Sequence, residues 1–260
     1  MVELNKIYLS DCILFMKELS PDSVDLIIAD PPYNLKKDFG NGSDNWLNTN
    51  EWLDWSKLWI DEAIRILKPT GNLFIYGIHR NLCYIQCYLY EKNMQYRRQI
   101  IWNYENGFSG YTTLSAFYEP ILWFSKTNEF TFHEIREPYK SHLRLKNRIF
   151  KNGKEWKPNP EGRLAGDVWH FPTLAGKRFE NEKVKHPTQK PLALCDRLIK
   201  HFSNMNDLVF IPFAGSGSEC VSAINNNRNF IATEINPDYI DIANKRLSYK
   251  ESLINNLGLV

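Results

Sequence analysis

The feature that most constrains the fold is an alternation between short apolar runs and amphipathic segments in both halves of the chain. Val24–Ala29 and Leu208–Ile211 are almost wholly apolar and of strand length, and each is followed by a turn and, further on, by a segment of helical length. A strand without polar alternation is typical of a parallel sheet that is covered on both faces. The sequence therefore predicts an α/β fold: a doubly wound, mostly parallel, Rossmann-like sheet with helices on both sides.

Seven strands and six helices can be placed from the spacing of apolar residues and from the turn residues between them. The predicted strands cover residues 7–9, 24–29, 73–76, 98–102, 121–124, 208–211 and 230–233. The predicted helices cover residues 12–19, 51–67, 80–91, 192–202, 219–226 and a final stretch from Pro237 onward. The run 68–71, Lys-Pro-Thr-Gly, is predicted to end the second helix, because proline and glycine do not continue a helix well.

The alternation stops between residues 126 and 186, where glycine, proline, asparagine and charged residues occur without a clear period. A long segment of this kind inside an ordered domain usually carries function. From Arg136 to Lys190 there are 14 Lys and Arg against 6 Asp and Glu, a local net charge of +8; because the whole chain carries +2, the remainder carries −6. We therefore divide the chain into residues 1–125, a basic insertion at 126–186 and residues 187–260. The insertion is expected to face a polyanion such as nucleic acid.

Composition limits the remaining classes of protein. Hydrophobic residues make up 43% of the chain and charges of both signs are abundant, which indicates a globular protein. No apolar run approaches the length of a membrane span, so no membrane partner is expected. The five cysteines form no C-x-x-C pair, and the six histidines show no metal-ligand spacing. We expect a cytoplasmic protein and predict no metal site.

The motif Asp30-Pro31-Pro32-Tyr33 directly follows an apolar run and is predicted to lie at the carboxyl end of that strand. Ligands of open α/β sheets bind at this edge. The two prolines fix φ and lack N–H groups, which leaves Asp30 and the Pro31 carbonyl as outward-facing acceptors. Tyr33 adds a flat surface for stacking. The motif suits a planar base with an exocyclic amine, although the same residues also end strands for purely structural reasons.

A second motif, Pro-Phe-Ala-Gly-Ser-Gly-Ser at residues 212–218, lies between a predicted strand and a predicted helix. Glycines let the backbone approach a ligand closely, and the start of the helix offers free N–H groups. The next strand ends in Glu234, an acidic residue placed to accept hydrogen bonds from ribose hydroxyls. Only Gly215-x-Gly217 is present, without the third glycine of a dinucleotide site. The pattern therefore favours a nucleoside with a small zwitterionic tail, such as S-adenosylmethionine, over a pyrophosphate.

Together the two motifs resemble those of the DNA amino-methyltransferases that use S-adenosylmethionine, and the resemblance covers nearly the whole chain. Residues 30–33 resemble the catalytic motif of that family, and residues 213–217 resemble its cofactor motif. The catalytic motif comes first, with the basic insertion between the two. This order is similar to that of the circularly permuted beta group, which includes the adenine-N6 modification enzymes of type II restriction systems. Residues 186–191, His-Pro-Thr-Gln-Lys-Pro, resemble the segment that closes over the methionine end of the cofactor.

The resemblance implies a role for each matching residue. It assigns catalysis to the turn after the strand, Asp30, Pro31, Pro32 and Tyr33. It assigns cofactor binding to residues from several strand ends: Asp11, Cys12, Asp30, Thr188, Lys190, Phe213, Gly215, Ser216, Gly217 and Glu234. Asp11 and Cys12 are expected at the adenine of the cofactor, and Glu234 is expected at its ribose. One departure from the family pattern is Ile211, which stands where an aspartate is usual.

The implied reaction is transfer of a methyl group to adenine N6, on a base that has been flipped out of the duplex. Residues 1–125 then form the catalytic half of the domain, residues 187–260 form the cofactor-binding half, and the insertion recognises the target. The expected DNA contacts are Arg144, Lys146, Arg148, Lys151 and Lys154. Trp156 and Trp169 are expected to anchor packing inside the insertion rather than to stack on bases.

Two alternatives remain open from the sequence. Methylation of cytosine N4 uses related motifs, although an aspartate at position 30 favours adenine. A catalytically inactive protein that binds S-adenosylmethionine and DNA is the second alternative, and Ile211 is the reason to consider it. DNA is the expected partner in a restriction–modification context. A homodimer and a cognate restriction endonuclease as a separate protein are further hypotheses that the residues do not decide.

Overall fold

The computed structural model describes residues 2–36, 44–105, 114–141 and 143–256, and within them a central eight-stranded sheet dominates the fold. The strands are β1 (Lys6–Leu9), β2 (Val24–Ala29), β3 (Leu67–Tyr76), β4 (Gln95–Asn103), β5 (Tyr118–Ser125), β6 (Arg136–Glu137), β7 (Ile149–Lys151), β8 (Lys154–Trp156), β9 (Arg163–Leu164), β10 (Val168–His170), β11 (Leu208–Ile211) and β12 (Asn229–Glu234). The helices are α1 (Cys12–Met16), α2 (Thr49–Ile66), α3 (His79–Glu91), α4 (Leu143–Lys146), α5 (Leu192–Phe202), α6 (Ser218–Asn225) and α7 (Pro237–Asn256). A short 3-10 turn covers Lys177–Phe179.

The sheet joins the two ends of the chain. Its strand order is β1-β12-β11-β2-β3-β5-β4-β10. Strand β5 runs antiparallel to both of its neighbours, whereas the other described pairs in this sheet are parallel. Strands β11 and β2 are adjacent although they lie far apart in the sequence, with Val209 opposite Leu26. The predicted doubly wound, mostly parallel α/β fold is confirmed, and each of the seven predicted strands coincides with a strand of this sheet.

An apolar core lies on each face of the sheet, with α1, α2 and α3 on one face and α5, α6 and α7 on the other. Helix α2 shows how the sequence produces this arrangement. The Asn48 side chain accepts a hydrogen bond from the Glu51 backbone N–H at 3.0 Å and caps the helix. Apolar residues three or four positions apart, among them Trp59 and Ala63, form one fully buried face. The spacing of apolar residues thus fixes which side of the helix packs on the sheet.

The run 68–71 directly follows the end of helix α2, as predicted, but it belongs to a strand. Helix α2 ends at Ile66 and strand β3 begins at the next residue, so Lys-Pro-Thr-Gly lies inside the strand. The register with β2 shifts between Val24 and Leu26, and this irregularity accommodates a proline, which has no N–H for the ladder. Glycine fits at position 71 because a Cβ there would lie 2.6 Å from Leu67 Cδ1. The run thus forms the irregular part of β3, between the pair of Val24 with Leu67 and the pair of Leu26 with Asn72.

The strands that the structure describes within residues 126–186 are all short. Strand β6 pairs with β9, and β7 pairs with β8, as two antiparallel ribbons outside the main sheet. Strand β10 instead pairs in parallel with β4 and forms one edge of the main sheet. Trp169 of β10 is therefore buried in the main core, which corrects the prediction that it packs inside the insertion, whereas Trp156 of β8 is half-buried. The division of the chain at residues 126 and 186 remains a prediction.

The strand order β1-β12-β11-β2 places four turns of chemical interest side by side. Asp11 follows β1, Glu234 ends β12, the glycine loop follows β11 and Asp30 follows β2. Because these four strands are parallel, their carboxyl ends share one edge of the sheet, where ligands of such folds bind. Among the helices of the described residues, none combines the length and the apolar character that a membrane span requires.

Candidate active site

A cavity opens at the shared carboxyl edge of the strands. Twelve of the site residues expected from the sequence line it: Asp11, Cys12, Asp30, Pro31, Pro32, Tyr33, Thr188, Lys190, Phe213, Gly215, Ser216 and Glu234. Gly217 lies behind the cavity, immediately before α6. The five basic residues of the insertion that were expected to contact DNA lie outside the cavity. Residues as distant in sequence as Asp11 and Glu234 are thus brought to one place by the strand order.

The Asp30 carboxylate is held between two donors. Lys190 donates from Nζ to Oδ2 at 2.6 Å, and the Tyr33 hydroxyl donates to Oδ1. The Lys190 side chain is only 3% exposed, and its Nζ also lies 3.8 Å from Glu119 Oε2. Burial by itself lowers the pKa of a lysine, but the charges of Asp30 and Glu119 outweigh it and raise the pKa of Lys190 above its ordinary value. Lys190 is therefore a fixed positive charge beside Asp30.

Two tyrosine rings flank this ammonium group. The Nζ atom of Lys190 lies 5.9 Å from the centre of the Tyr33 ring and 4.9 Å from the centre of the Tyr76 ring. Burial raises the pKa of both tyrosine hydroxyls well above the ordinary value, and the charge of Asp30 adds to the effect at Tyr33. Tyr33 is 8% exposed and forms part of the cavity wall. The stacking role that the sequence suggests for this ring stays a prediction.

The turn that carries Asp30 is fixed from both sides. The Trp52 indole N–H donates to the Pro32 carbonyl at 2.8 Å, and the Asn81 amide donates to the Tyr33 carbonyl at 2.8 Å. These donors come from α2 and α3, so two helices hold the turn against the end of β2. Within the described ranges no group donates to the carbonyl of the buried Pro31. The turn therefore presents a carboxylate and a free carbonyl acceptor side by side.

The glycine loop after β11 is tightly packed on both sides. Gly215 has a φ of +49°, and a Cβ at this position would lie 2.8 Å from Nε2 of His186. Gly217 has a φ of +73°, and a Cβ there would lie 2.7 Å from the Cβ of Ala243 in α7. L-residues with side chains rarely adopt these φ values, and no space exists for the side chain in either place. The loop is thus clamped between α7 and the segment before α5.

Two carboxylates at the ends of β1 and β12 are oriented by backbone N–H groups. Asp11 caps α1, and its Oδ1 accepts from two N–H groups of the first turn at 2.9 and 3.0 Å. Glu234 accepts from the Gly215 N–H at 2.8 Å and from the N–H groups of the two residues that follow it. Burial raises the pKa of Glu234 and also that of the neighbouring Cys12 thiol, which is therefore neutral. This end of the cavity offers two fixed acceptors to a ligand with hydroxyl or amino donors.

An aromatic wall closes the side of the cavity that faces α2. Phe213 lies with its ring centre 5.9 Å from that of Trp55 and 5.5 Å from that of Trp59. Trp46 packs against Trp55 at 4.7 Å, and both tryptophans line the cavity. Flat apolar surfaces of this kind bind planar rings by stacking and burial. The cavity therefore combines an apolar wall with carboxylates placed at its rim.

The five basic residues of the insertion surround the ribbon formed by β7 and β8. Lys151 and Lys154 face each other across the turn of the ribbon. Arg144 and Lys146 belong to α4, and Arg148 precedes β7, where its Nε lies 3.9 Å from Glu155 Oε1. All five are exposed. They form a solvated basic surface that is separate from the cavity, so the structure does not bring these residues together with the site.

Comparison with known proteins decides which family this site belongs to. The family model described as DNA methylase matches residues 24–245, most of the chain. The chain is also 39% identical over 261 residues to the type II methyltransferase M1.MboII of Moraxella bovis, in an alignment that covers 96% of this chain and 99% of the relative. The chain belongs to the DNA methylase family. A further relative of this DNA methylase is the DNA adenine methyltransferase YhdJ of Escherichia coli K12, which is 34% identical over 91% of this chain and 80% of its own length.

Solved structures extend the comparison to the fold of this DNA methylase. The structure of the M1.HpyAVI–SAM complex matches with a TM-score of 0.63 and 26% identity, over 93% of this chain and 98% of the other. The cytosine-N4-specific PvuII DNA methyltransferase matches with a TM-score of 0.71 over 95% of this chain and 87% of the other, at 15% identity. At that identity the match to the PvuII protein concerns the fold alone.

Acidic side chains outnumber basic ones in the lining of the cavity of this DNA methylase. Its lining holds one lysine, Lys190, against five carboxylates: Asp11, Asp30, Asp44, Glu219 and Glu234. The carboxylate of Asp44 accepts hydrogen bonds from the backbone of the turn after Tyr33. In the part of the chain that the structure describes, no group of His, Cys, Asp and Glu side chains is arranged to hold a metal ion. A cavity lined by more carboxylates than cationic side chains disfavours phosphate ligands and favours a cation.

The sequence analysis missed several residues of this DNA methylase site. Glu219 lines the cavity, and its position in the first helical turn after the glycine loop is a local signal that was available. Glu119 lies near Lys190 but comes from the antiparallel strand β5, and nothing in its local sequence indicates this neighbourhood. Trp46 and Trp55 also line the cavity and were not assigned to the site from the sequence. Their place in the cavity follows from tertiary contacts alone.

Proposed function

We propose that this protein is a site-specific DNA methyltransferase that transfers a methyl group from S-adenosylmethionine to N6 of adenine. The observation that carries the proposal is the pair of acceptors formed by the Asp30 carboxylate and the Pro31 carbonyl in the lining of a cavity that also holds aromatic rings and further carboxylates. An exocyclic amine has two N–H donors, and two fixed acceptors match them. The similarity to a relative named as a DNA adenine methyltransferase supports adenine over cytosine as the target base.

The charge of the cavity fits S-adenosylmethionine. This molecule carries a sulfonium, an ammonium and a carboxylate, so its net charge is positive at neutral pH, as a negative cavity requires. The residues proposed to hold it are Asp11 and Cys12 at the adenine, Glu234 at the ribose, and Thr188, Lys190, Phe213, Gly215, Ser216 and Gly217 around the methionine portion. When bound, it would supply a methyl group whose bond to sulfur breaks as the bond to N6 forms, with the electron pair left on sulfur.

The Asp30 turn makes the amine nucleophilic. The lone pair of an exocyclic amine is delocalised into the base, and acceptors on both N–H bonds favour a pyramidal nitrogen whose lone pair is localised. The nitrogen becomes positive during transfer, so a carboxylate and a carbonyl dipole in a buried site stabilise the transition state. Lys190 and Tyr33 hold Asp30 in position, and a carboxylate has about four lone-pair sites, so acceptor capacity remains for the base.

The nitrogen must release one proton after it gains the methyl group. Asp30 is the nearest acceptor in the proposed geometry, and solvent is the final one. The Lys190 ammonium lies 2.6 Å from Asp30 Oδ2 and holds the carboxylate in place through this hydrogen bond. The raised pKa of Tyr33 keeps its hydroxyl protonated, so Tyr33 positions Asp30 as a hydrogen-bond donor and does not act as a base.

Adenine N6 is paired inside duplex DNA, so the base must be flipped into the cavity at a cost of a few kcal/mol. Stacking on an aromatic ring recovers about 1–3 kcal/mol, and Tyr33 is the ring proposed for this contact. The exposed basic surface of the insertion is proposed to contact the phosphates through Arg144, Lys146, Arg148, Lys151 and Lys154. Such contacts give binding that weakens steeply with salt.

The cellular setting follows from the same proposal. Residues 126–186 are proposed to form the target-recognition insertion between the catalytic half at 1–125 and the cofactor-binding half at 187–260. Recognition of one short DNA sequence suits a restriction–modification system, with a cognate endonuclease as a separate protein and with the methyltransferase as a homodimer. The five cysteines are free thiols, which agrees with a reducing cytoplasm.

The proposal is tested with the purified chain, S-adenosylmethionine labelled in its methyl group, and duplex DNA of mixed sequence. The DNA is digested to nucleosides after the reaction, and the labelled nucleoside is identified by chromatography. The expected product is N6-methyldeoxyadenosine. Label in N4-methyldeoxycytidine would establish the cytosine alternative, and no label despite measurable binding of S-adenosylmethionine would show a catalytically inactive protein.

A further inference from the structure

Glu219 is a buried carboxylate whose presence the steps above do not explain. It lies in the first turn of α6, directly after the glycine loop, is 5% exposed and lines the cavity. We propose that Glu219 binds the α-ammonium group of the methionine portion of S-adenosylmethionine. This inference rests on the proposed function, because it takes that molecule as the ligand of the cavity.

The surroundings of Glu219 give its charge little compensation. The described side-chain hydrogen bond is from the Cys195 thiol, with Sγ 3.5 Å from Oε1, and a thiol is a weak donor. The start of α6 offers some stabilisation through its backbone N–H groups. Burial still raises the pKa of Glu219, and the charge of Asp30 adds to the rise. A buried carboxylate is costly unless a cation or strong donors meet it.

The nearest cations are already engaged. The ammonium of Lys190 donates to Asp30 at 2.6 Å and lies 3.8 Å from Glu119. The charge of Glu219 also acts on Lys190, so three carboxylates share this one positive charge. The guanidinium of Arg246 donates to the Ser216 carbonyl at 2.6 Å and to the Ser218 hydroxyl at 3.1 Å. The cluster therefore has an excess of negative charge on the side that faces the cavity. A second ammonium, supplied by a ligand, would balance it.

The position of Glu219 indicates which part of the ligand it meets. Asp11 and Glu234 end β1 and β12, at one side of the cavity, whereas Glu219 follows the glycine loop next to β2 and Asp30. The Ser218 hydroxyl, one residue earlier, donates to the Lys190 carbonyl at 2.9 Å and ties α6 to the segment before α5. With the nucleoside held at β1 and β12, the methionine portion reaches the side of the cavity where Glu219 lies.

Two cationic groups occur in the methionine portion, and the chemistry favours the ammonium as the partner. The sulfonium loses its positive charge when the methyl group leaves. A carboxylate bound to it would therefore stabilise the starting state more than the transition state and slow the reaction. The ammonium keeps its charge throughout, so a carboxylate can bind it without this penalty.

The experiment compares binding of three ligands to the purified wild-type chain and to Glu219→Gln by calorimetry. S-adenosylmethionine and S-adenosylhomocysteine both carry the ammonium, whereas 5′-methylthioadenosine lacks the whole amino-acid portion. For Glu219→Gln we expect the first two ligands to bind roughly 10- to 100-fold more weakly, the range for removal of a hydrogen bond between charged groups. Binding of 5′-methylthioadenosine is expected to stay unchanged. The melting temperature without ligand should stay equal or rise, because the amide removes a buried charge.

Asp196→Asn is the matched control. Asp196 lies on α5 beside α6, where it accepts hydrogen bonds from the Ser222 hydroxyl and from the Asn226 amide at 2.9 Å, and it does not line the cavity. The control removes the same charge from the same helix pair. Binding of all three ligands should change less than about twofold, as for a charge that makes no contact with them.

Four other results would overturn the assignment. Unchanged binding of all ligands by Glu219→Gln would show that Glu219 makes no contact with the cofactor. Weaker binding of S-adenosylmethionine alone would assign Glu219 to the sulfonium. Equal weakening of all three ligands, or a large effect in Asp196→Asn, would show a structural role in the α5–α6 pair. If the wild-type chain bound none of the ligands, the proposed function itself would fail, and that result is distinct from the others.

Discussion

Strand β2 carries a carboxylate–lysine pair near each of its ends, and the two pairs differ in what surrounds them. At the amino end, Lys68 donates to Asp25 at 2.7 Å; beyond the carboxyl end, Lys190 donates to Asp30 at 2.6 Å. The distances are nearly equal, but the Lys68 side chain is 38% exposed and the Lys190 side chain only 3%. Equal contact geometry thus occurs in two very different electrostatic environments.

The difference shows how a structural pair is distinguished from the pair that we propose to act in catalysis. The second oxygen of Asp25 accepts from the Leu208 backbone N–H at 2.9 Å, so the pair ties β2 to β11 and lies outside the cavity. Asp30 instead faces the cavity, beside the Pro31 carbonyl, to which no group in the described part of the chain donates. The parallel sheet explains the asymmetry, because ligands bind at the carboxyl ends of its strands. The following predictions test this contrast.

Asp30→Asn is expected to have the largest effect. The amide keeps the size of the side chain but removes the charge that stabilises the developing ammonium, so methyl transfer should fall by about a thousandfold. Cofactor binding should fall far less. The matched variant, Asp25→Asn, should keep the wild-type turnover and lose only stability. Equal loss of turnover in both variants, measured by transfer of labelled methyl groups to DNA, would contradict the assignment of Asp30.

Lys190→Met should have the next largest effect. It leaves Asp30, Glu119 and Glu219 close together without their cation, and breaking a buried pair costs about 3–5 kcal/mol of unfolding free energy. Turnover should fall roughly 10- to 100-fold, because Asp30 loses the buried charged donor that holds it in position. Lys68→Met breaks a partly exposed pair and should cost less than about 1 kcal/mol. Urea denaturation of both variants measures the contrast, and equal costs would show that burial does not distinguish the pairs.

Substitution of Lys151 and Lys154 by alanine should have a smaller effect, confined to DNA binding. Both side chains are exposed at the turn of the β7–β8 ribbon, outside the cavity. The affinity for DNA should fall several-fold for all sequences, and the slope of log K against log salt should decrease by about 0.9 for each phosphate that the variant no longer neutralises. Turnover at saturating DNA should not change. Lys6→Ala, at the opposite edge of the sheet, is the control and should leave the salt slope as it is.

The smallest expected effect is the change of turnover with pH. Tyr33 and Lys190 act in their protonated forms, and in both cases the folded protein raises the pKa, so protonation persists to a higher pH than in free side chains. Between pH 7 and 9 the turnover should therefore change less than about twofold through these groups, whose ordinary pKa values are about 10. A loss of turnover below pH 9 that disappears in Tyr33→Phe would show that the tyrosine hydroxyl titrates in this range.

Much of the fold follows from the sequence because apolar runs determine strands and helical faces. Strand β2 coincides with its predicted range, since a run of buried residues has no other stable place than the middle of the sheet. Strand β10 could not be predicted from the sequence. Its three residues, Val168–His170, form a strand only because they pair with β4. Trp169 was assigned to the wrong core for the same reason. The formation of a short edge strand depends on pairing with a neighbouring strand and not on the spacing of its apolar residues.

Site residues could be predicted where a motif that suits a ligand lies next to a predicted strand or helix. Asp30, Lys190 and Glu234 were all expected near one ligand, and the structure brings them to one cavity. The contact between Lys190 and Asp30 could not be foreseen, because 160 positions separate the residues and nothing local encodes their distance. Glu119 was not predicted for the same reason, whereas the position of Glu219 directly after the glycine loop is a local signal that could have been used. A buried charge cluster is a property of the packed sheet and not of any single motif.

The central claim is that the acceptor pair at Asp30 serves methylation of adenine N6 in DNA. The most direct test is to express the chain in a host that lacks DNA methylation and to sequence the DNA of that host with detection of modified bases. We expect N6-methyladenine at one short recognition sequence, and we expect none when the expressed chain carries Asp30→Asn. Methylated cytosine, or unmodified DNA from cells in which the folded wild-type protein accumulates, would contradict it.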